Sequence, residues 1–299
     1  MAVLQKYLFR FGIITTLCFS VISGCADTDT TDEQNETTTD ETKPPENEQN
    51  NETAETAATV KIPEQNVMST LWHQTSGERN ALYYQGYYIS KMMLDQKLTE
   101  NTEKKRAVVL DLDETVLDND PYQAYAAVNG VEYPEGWDQW IEAANAPLLP
   151  GALEFLKYAD EQGVDIYYIS NRKEEQREAT IKNMELHGLP QSTDDRVLLK
   201  TEESSKKARR DQVLTDHEII LLLGDNLADF ADVFDKQNVP ERKQSVDELK
   251  DEFGSTFIVF PNPMYGDWEG AVYEYNWDLT PEEKDAKRKE AMEPFEPAS

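Results

Sequence analysis

Histidine and cysteine are nearly absent from this 299-residue chain. The three histidines, His73, His187 and His217, are too scattered to make a zinc-binding spacing and read as ordinary surface or helix-end residues. The two cysteines, Cys18 and Cys25, both fall in the first 25 residues, so the remainder forms no disulfide and performs no thiol or thiolate-metal chemistry. Positive charge is also scarce. Against 59 acidic side chains stand 29 basic ones, for a net charge of -30 and a pI near 4.4. So acidic a chain repels phosphate backbones and anionic headgroups, which argues against nucleic-acid polymers as partners and against simple adsorption to a membrane surface. An anionic ligand would need a local cation. The hydrophobic content of 38%, with 10% aromatics, is enough for a globular domain.

Residues 1–25 form a targeting segment. Lys6 and Arg10 make a basic start without an acid, an apolar stretch runs from Phe11 to Ile22, and Ser23 and Gly24 close it. The run Ile22-Ser23-Gly24-Cys25 resembles the lipobox of bacterial lipoproteins, which implies cleavage before Cys25 and acylation of its thiol. A plain signal peptide is the competing reading. The expected location is the extracytoplasmic face of the cell membrane, with the lipid anchor as the only membrane contact. Residues 26–66 turn to Thr, Glu, Asp, Asn and Gln, with 12 acids and two bases between Asp27 and Asn66. Such a composition cannot bury enough surface to offset chain entropy, so a disordered acidic tether is expected there.

Residues 67–299 are expected to form the folded domain. The stretch Trp72–Leu98 reads as helical, and short apolar runs follow at 107–112, 164–169, 196–199, 219–223 and 256–260. Helical stretches at 151–162 and 174–187, stopped by Gly163 and Gly188, alternate with them. Strands alternating with helices predict an α/β fold with a parallel sheet covered by helices on both faces. Ligands of such sheets bind beyond the carboxyl ends of the strands.

At those ends lie Asp111-Leu112-Asp113-Glu114-Thr115, Ser170-Asn171-Arg172, and Gly224-Asp225-Asn226 followed by Asp229, with Lys206 and Lys207 in between. Side chains of a strand alternate with a period of two, so Asp111 and Asp113 can converge on one point. Carboxylates so close call for a hard divalent ion such as Mg²⁺, to which Asp225 can add a further oxygen. Asp-x-Asp alone is weak in so acidic a chain. Its place after a buried strand, followed in order by a hydroxyl, a lysine and a second acidic cluster, favours function.

These segments resemble the haloacid dehalogenase superfamily of phosphotransferases. LDLDETVLDN (110–119), ISNR (169–172), GDNLADF (224–230) and PNPMYGDWE (261–269) are similar, more narrowly, to the bacterial class C acid phosphatases, the lipoprotein 5′-nucleotidase family. The likeness runs through nearly all of residues 67–280 and extends to the lipoprotein N-terminus. It implies a haloacid dehalogenase-like, Rossmannoid fold with a small helical cap at about 118–149. It implies an acid phosphatase acting on small phosphomonoesters such as nucleoside 5′-monophosphates or aryl phosphates through an aspartyl-phosphate. In that scheme Asp111 is the nucleophile, and Asp113 protonates the leaving alcohol and then deprotonates water. Ser170 and Asn171 bind phosphoryl oxygens, and Lys206, with Lys207 as the alternative, neutralises charge. One Mg²⁺ is held by Asp111, the Asp113 carbonyl and Asp225, while Asp229 orients Lys206 or a metal-bound water. Asp113 also separates the chain from dehalogenases and ion pumps, which lack an aspartate there.

The insert after the first strand is rich in aromatics, including Tyr122, Tyr125, Tyr133, Trp137 and Trp140. They are expected chiefly as the core of a cap, with Trp137, Trp140 and Tyr265 as candidates to face a nucleobase or aryl group. The alternative function is a surface lipoprotein that binds a ligand or adheres, using a phosphatase scaffold.

Overall fold

The computed structural model describes residues 60–297. The expected lipobox with Cys25 and nearly all of the expected acidic tether lie outside the described residues. Ordered structure begins before the expected boundary at 67. A 3-10 turn at Ile62–Asn66 buries Ile62 and Pro63, because these two apolar residues close an otherwise polar segment and can pack against the domain.

Five parallel strands make the sheet: β1 (Lys105–Leu110), β2 (Asp165–Lys173), β3 (Val197–Lys200), β4 (His217–Gly224) and β5 (Phe257–Val259), in the order β3-β2-β1-β4-β5. The aliphatic runs are continuous rather than alternating because both faces are covered. Val108, Leu110, Tyr168, Leu221 and Leu223 point into one core layer, while Ala107, Val109, Ile169, Leu198 and Leu222 point into the other. Each fully buried leucine here contributes roughly 2 kcal/mol of hydrophobic stabilisation.

Helices α2 (Gly77–Leu98) and α5 (Ala152–Glu161) cover the first face through Tyr83, Tyr87, Leu94, Phe155 and Leu156. Helix α7 (Lys207–Asp216) covers the second through Val213. The expected single helix at 72–98 is two. Helix α1 (Val67–Thr75) stops at Ser76, which takes an extended conformation and accepts a hydrogen bond from the Arg79 amide (3.2 Å), capping α2. The insert after β1 folds as α3 (Asp120–Asn129) and α4 (Trp137–Ala143), a small helical cap whose own core is Tyr122, Trp137 and Ile141. Helix α6 (Arg177–Leu186) follows β2, and α8 (Val239–Glu248), α9 (Asp267–Val272) and α10 (Pro281–Glu290) complete the chain. Among the described residues no helix is long and apolar enough to cross a membrane.

All three histidines do sit at helix ends, but two are not on the surface. His73 is fully buried with Nδ1 2.6 Å from Asp120 Oδ1, and His217 is buried with Nε2 2.7 Å from Asp165 Oδ2. A carboxylate partner from a distant segment makes each burial tolerable, and single-sequence spacing does not show such partners.

Candidate active site

The carboxyl ends of β1, β2 and β4 converge at one end of the sheet. Past Leu110 the chain leaves β1 with the Asp111 amide donating to the Leu223 carbonyl (2.9 Å) and then turns back on itself, Leu117 N donating to Leu112 O (2.8 Å). Glu114 takes a left-handed conformation in this turn (φ 57°), a strained choice for a side chain with a Cβ. The surroundings hold it there. Tyr83 OH donates to the Glu114 carbonyl and Tyr87 OH to the Thr115 carbonyl, each at 2.6 Å, while the Glu114 carboxylate accepts from the Asn119 amide (3.0 Å). Two tyrosines of α2 therefore pin the loop that carries both aspartates.

Asp111 is buried, and its carboxylate meets Lys206 Nζ, which also lies 2.6 Å from Asp229 Oδ1. Burial pushes the Asp111 carboxyl up against the pull of Lys206, and the nearby charges of Asp229 and Asp113 add to the rise, taking it to about 7. Burial acts on Lys206 in the opposite sense, but the two carboxylates prevail and hold it as an ammonium. Of the two candidate lysines, Lys206 is the one at the site. Lys207 is exposed and pairs with Asp211 one helical turn on (2.5 Å). Asp229 thus orients Lys206, and its Oδ2 accepts from the Asn226 amide (2.9 Å). It can approach only because residue 224 is glycine, for a Cβ there would overlap the Asp229 carboxylate.

Asp113 faces a different set of partners. Arg172, at the end of β2, donates through Nε and Nη2 to its carboxylate (2.7–3.2 Å), Asn119 Nδ2 adds a bond of 2.8 Å and Ser170 Oγ one of 3.2 Å. Burial favours the protonated acid, but these donors outweigh it and bring the carboxyl below its ordinary range. Arg172 was given no role by the sequence, although the period of two that puts Ser170 on this side of β2 also puts Arg172 there. Asn119 is oriented in turn by Trp140 Nε1 (2.7 Å to Oδ1). Ser170 and Asn171 part company, as neighbours on a strand do. Asn171 is exposed on the cleft, where its Oδ1 accepts from Arg209 Nη2 (2.6 Å), and Arg209 Nη1 donates to the Ser170 carbonyl (2.6 Å).

Asp111, Asp225 and Asp229 each offer a carboxylate oxygen within 4.8 Å of the others. Burial, followed by the charges of Asp229 and Asp111, raises Asp225 well above its normal value, although Asn262 Nδ2 donates to it (2.9 Å). One ammonium does not balance three carboxylates, two of them buried and that of Asp225 half-buried. A set of hard oxygen donors without thiolate or imidazole fits a divalent cation of the Mg²⁺ type. The Asp113 carboxylate is turned to Arg172 and stands outside this cluster.

The centre opens into a cleft of about 600 Å³, reaching from Asp111, Asp113 and Asp225 past Asn171 and Arg172 to the cap. Trp137 and Tyr265 line it, together with Tyr122 and Tyr133. Trp140 does not line it and instead buttresses Asn119.

The family model for the HAD superfamily, subfamily IIIB (acid phosphatase), matches residues 29–268. The class C acid phosphatase from Bacillus anthracis is 52% identical over 79% of this chain and 100% of its own, with a TM-score of 0.78. The structure of that phosphatase with tungstate bound gives 51% identity over the same shares, with a TM-score of 0.77.

Proposed function

The chain belongs to the acid phosphatases of HAD superfamily subfamily IIIB, phosphomonoesterases with a divalent-metal requirement, and we propose that it cleaves nucleoside 5′-monophosphates or aryl phosphates through an aspartyl-phosphate on Asp111. The observation that carries this reading is the buried Asp111 carboxylate held by Lys206 beside Asp225 and Asp229. The tungstate bound by the Bacillus anthracis relative is a tetrahedral oxyanion like phosphate, which favours oxyanion binding here as well.

A phosphomonoester brings two negative charges to three carboxylates. Lys206 offsets part of the repulsion, and Asp111 and Asp225, with the Asp113 carbonyl, would hold Mg²⁺, which supplies Lewis-acid polarisation of the phosphoryl oxygens. An Asp111 oxygen attacks phosphorus opposite the ester oxygen, forming one P–O bond as the other breaks. The Asn171 side chain donates to the phosphoryl oxygens, and Ser170 Oγ, whose proton is given to Asp113 and which lies just behind the cleft lining, would turn from Asp113 to do the same. Asp113, when protonated, gives its proton to the departing alkoxide, then takes one from the water that attacks the aspartyl-phosphate. Arg172 keeps Asp113 at one orientation through two nitrogens and lowers its proton affinity, which matches chemistry carried out at acid pH. Trp137 and Tyr265 offer apolar faces to the leaving aryl group or base.

Acylation of Cys25 would hold this activity on the outer face of the cell membrane at the end of the acidic tether. The lipobox sequence Ile22–Cys25 supports that placement.

Hydrolysis of a chromogenic aryl phosphate by the purified protein tests the proposal. EDTA is expected to stop turnover and Mg²⁺ to restore it. Full activity in chelator would overturn the metal assignment. Tight binding of a nucleoside by a protein releasing no phosphate under any divalent metal would favour a binding lipoprotein instead.

A further inference from the structure

The last helix contributes to the cleft without being anchored by a core. No residue of α10 is buried, and its inward face is Lys284, Asp285, Lys287 and Arg288. The contacts that hold that face are largely polar, with Pro281 also half-buried and the Arg288 guanidinium 5.9 Å from the centre of the Tyr273 ring. Lys284 Nζ lies 2.8 Å from Glu132 Oε2 of the cap, and Lys287 Nζ 3.2 Å from Glu274 Oε1. Arg288 donates to Tyr273 OH (2.6 Å), to Gln65 Oε1 (2.8 Å) and to the Glu269 carboxylate, while Gln65 Nε2 donates back to Asp285 (2.7 Å). The helix is thus latched at once to the cap, to α9 and to the 3-10 turn at Ile62–Asn66.

Lys284 and Arg288 line the same cleft as Asp111, and so do Ile62, Pro63 and Asn66. None of the polar partners of α10 belongs to the carboxylate centre. Glu132 and Glu269 match Lys284 and Arg288 in number, so this wall presents paired charges and hydrogen-bonding groups rather than a net cation for a second phosphate. Such a surface suits the hydroxyls and ring nitrogens of an uncharged polar group.

We propose that α10 and the 62–66 turn form a polar, salt-sensitive wall of the cleft that binds the leaving group of nucleoside-sized substrates and is not used by small phosphomonoesters. The inference rests on the phosphomonoesterase reading above and names residues that set its selectivity. The Lys284–Glu132 and Lys287–Glu274 pairs are partly exposed, unlike the more enclosed Arg288–Glu269 pair, and such pairs weaken as salt screens them, the Debye length falling to about 3 Å at 1 M. The wall therefore loosens with ionic strength, whereas the buried carboxylate centre is screened much less.

The test compares adenosine 5′-monophosphate with glycerol 2-phosphate, using the full chain. In the variant carrying Lys284→Ala and Arg288→Ala, KM for the nucleotide is expected to rise roughly tenfold, the factor equivalent to about 1.4 kcal/mol, with kcat little changed. KM for glycerol phosphate stays at the wild-type value, as do both constants in Glu290→Ala, a change on the outward face. Equal effects on the two substrates, or no effect on either, would overturn the proposal. Should the double variant unfold, the wild-type protein decides. The ratio of the two KM values climbs between 0.05 and roughly 1 M NaCl if the wall is latched by ion pairs, and a constant ratio refutes it. Wild-type turnover of glycerol phosphate reports the hydrolytic chemistry separately, so a constant ratio removes the wall and leaves that chemistry standing.

Discussion

Replacing Asp111 with Asn will stabilise the metal-free protein at neutral pH while abolishing its turnover. Folding carries the Asp111 carboxyl from 3.8 up to about 7, first through burial and then through the charges of Asp229 and Asp113. Between those two values the folded state binds more protons than the unfolded one, so stability falls as pH rises. At about 1.36 kcal/mol per pH unit the loss reaches roughly 4 kcal/mol above pH 7, and near pH 4 it vanishes. The amide of Asp111→Asn would carry no such penalty, and its oxygen would still accept from Lys206, which keeps Asp229 as an ionic partner. Urea unfolding in EDTA is therefore expected to show the variant and wild type equal near pH 4. The variant becomes more stable by about 2–4 kcal/mol at pH 7.5. Added Mg²⁺ closes the gap by stabilising the wild type, as any ligand of the folded state does. A variant that is less stable at pH 7.5, or a difference that does not change with pH, would refute the charge-crowding argument.

Other substitutions separate the parts of the site. Gly224→Ala puts a methyl group where the Asp229 carboxylate now sits. It should cost about 2–3 kcal/mol of stability by overpacking and lower kcat sharply by displacing Lys206; near-normal kinetics would show that Asp229 does not orient the lysine. Arg172→Gln removes the charge that lowers Asp113. The acid then keeps its proton to higher pH, so the falling limb of kcat for alkyl phosphates, whose poor leaving groups need a proton, is expected to move upward in pH. A limb that stays in place or moves downward contradicts the pairing. Tyr83→Phe deletes the hydrogen bond to the Glu114 carbonyl. A loss of about 1 kcal/mol is expected in thermal unfolding, with a fall in kcat at constant KM if the loop positions Asp113.

The fold was legible because every strand is a contiguous aliphatic run, and such runs are stable only when covered on both faces. The carboxylates were legible because Asp111, Asp113 and Asp225 follow those runs directly, at the end of the sheet where ligands bind. Less visible were contacts set by distant segments. Arg172 reaches Asp113 across 59 residues, Tyr83 reaches the Glu114 carbonyl across 31, and Arg288 meets Gln65 across 223. No local periodicity encodes them. The late domain boundary has the same origin, since Ile62 and Pro63 look like tether until the surface that buries them is in place. Choosing Lys206 over Lys207 also needed coordinates, because the two residues at the start of α7 point to opposite environments.

The central claim is that Asp111 becomes phosphorylated, and trapping that species tests it most directly. Acid quenching during turnover of a radiolabelled nucleoside monophosphate, followed by peptide mapping, is expected to place an acid-stable, base-labile label on the peptide containing Asp111. The label should be absent from Asp111→Asn. A wild-type enzyme that turns over normally without ever carrying label, or an Asp111→Asn variant with wild-type turnover, would contradict the account.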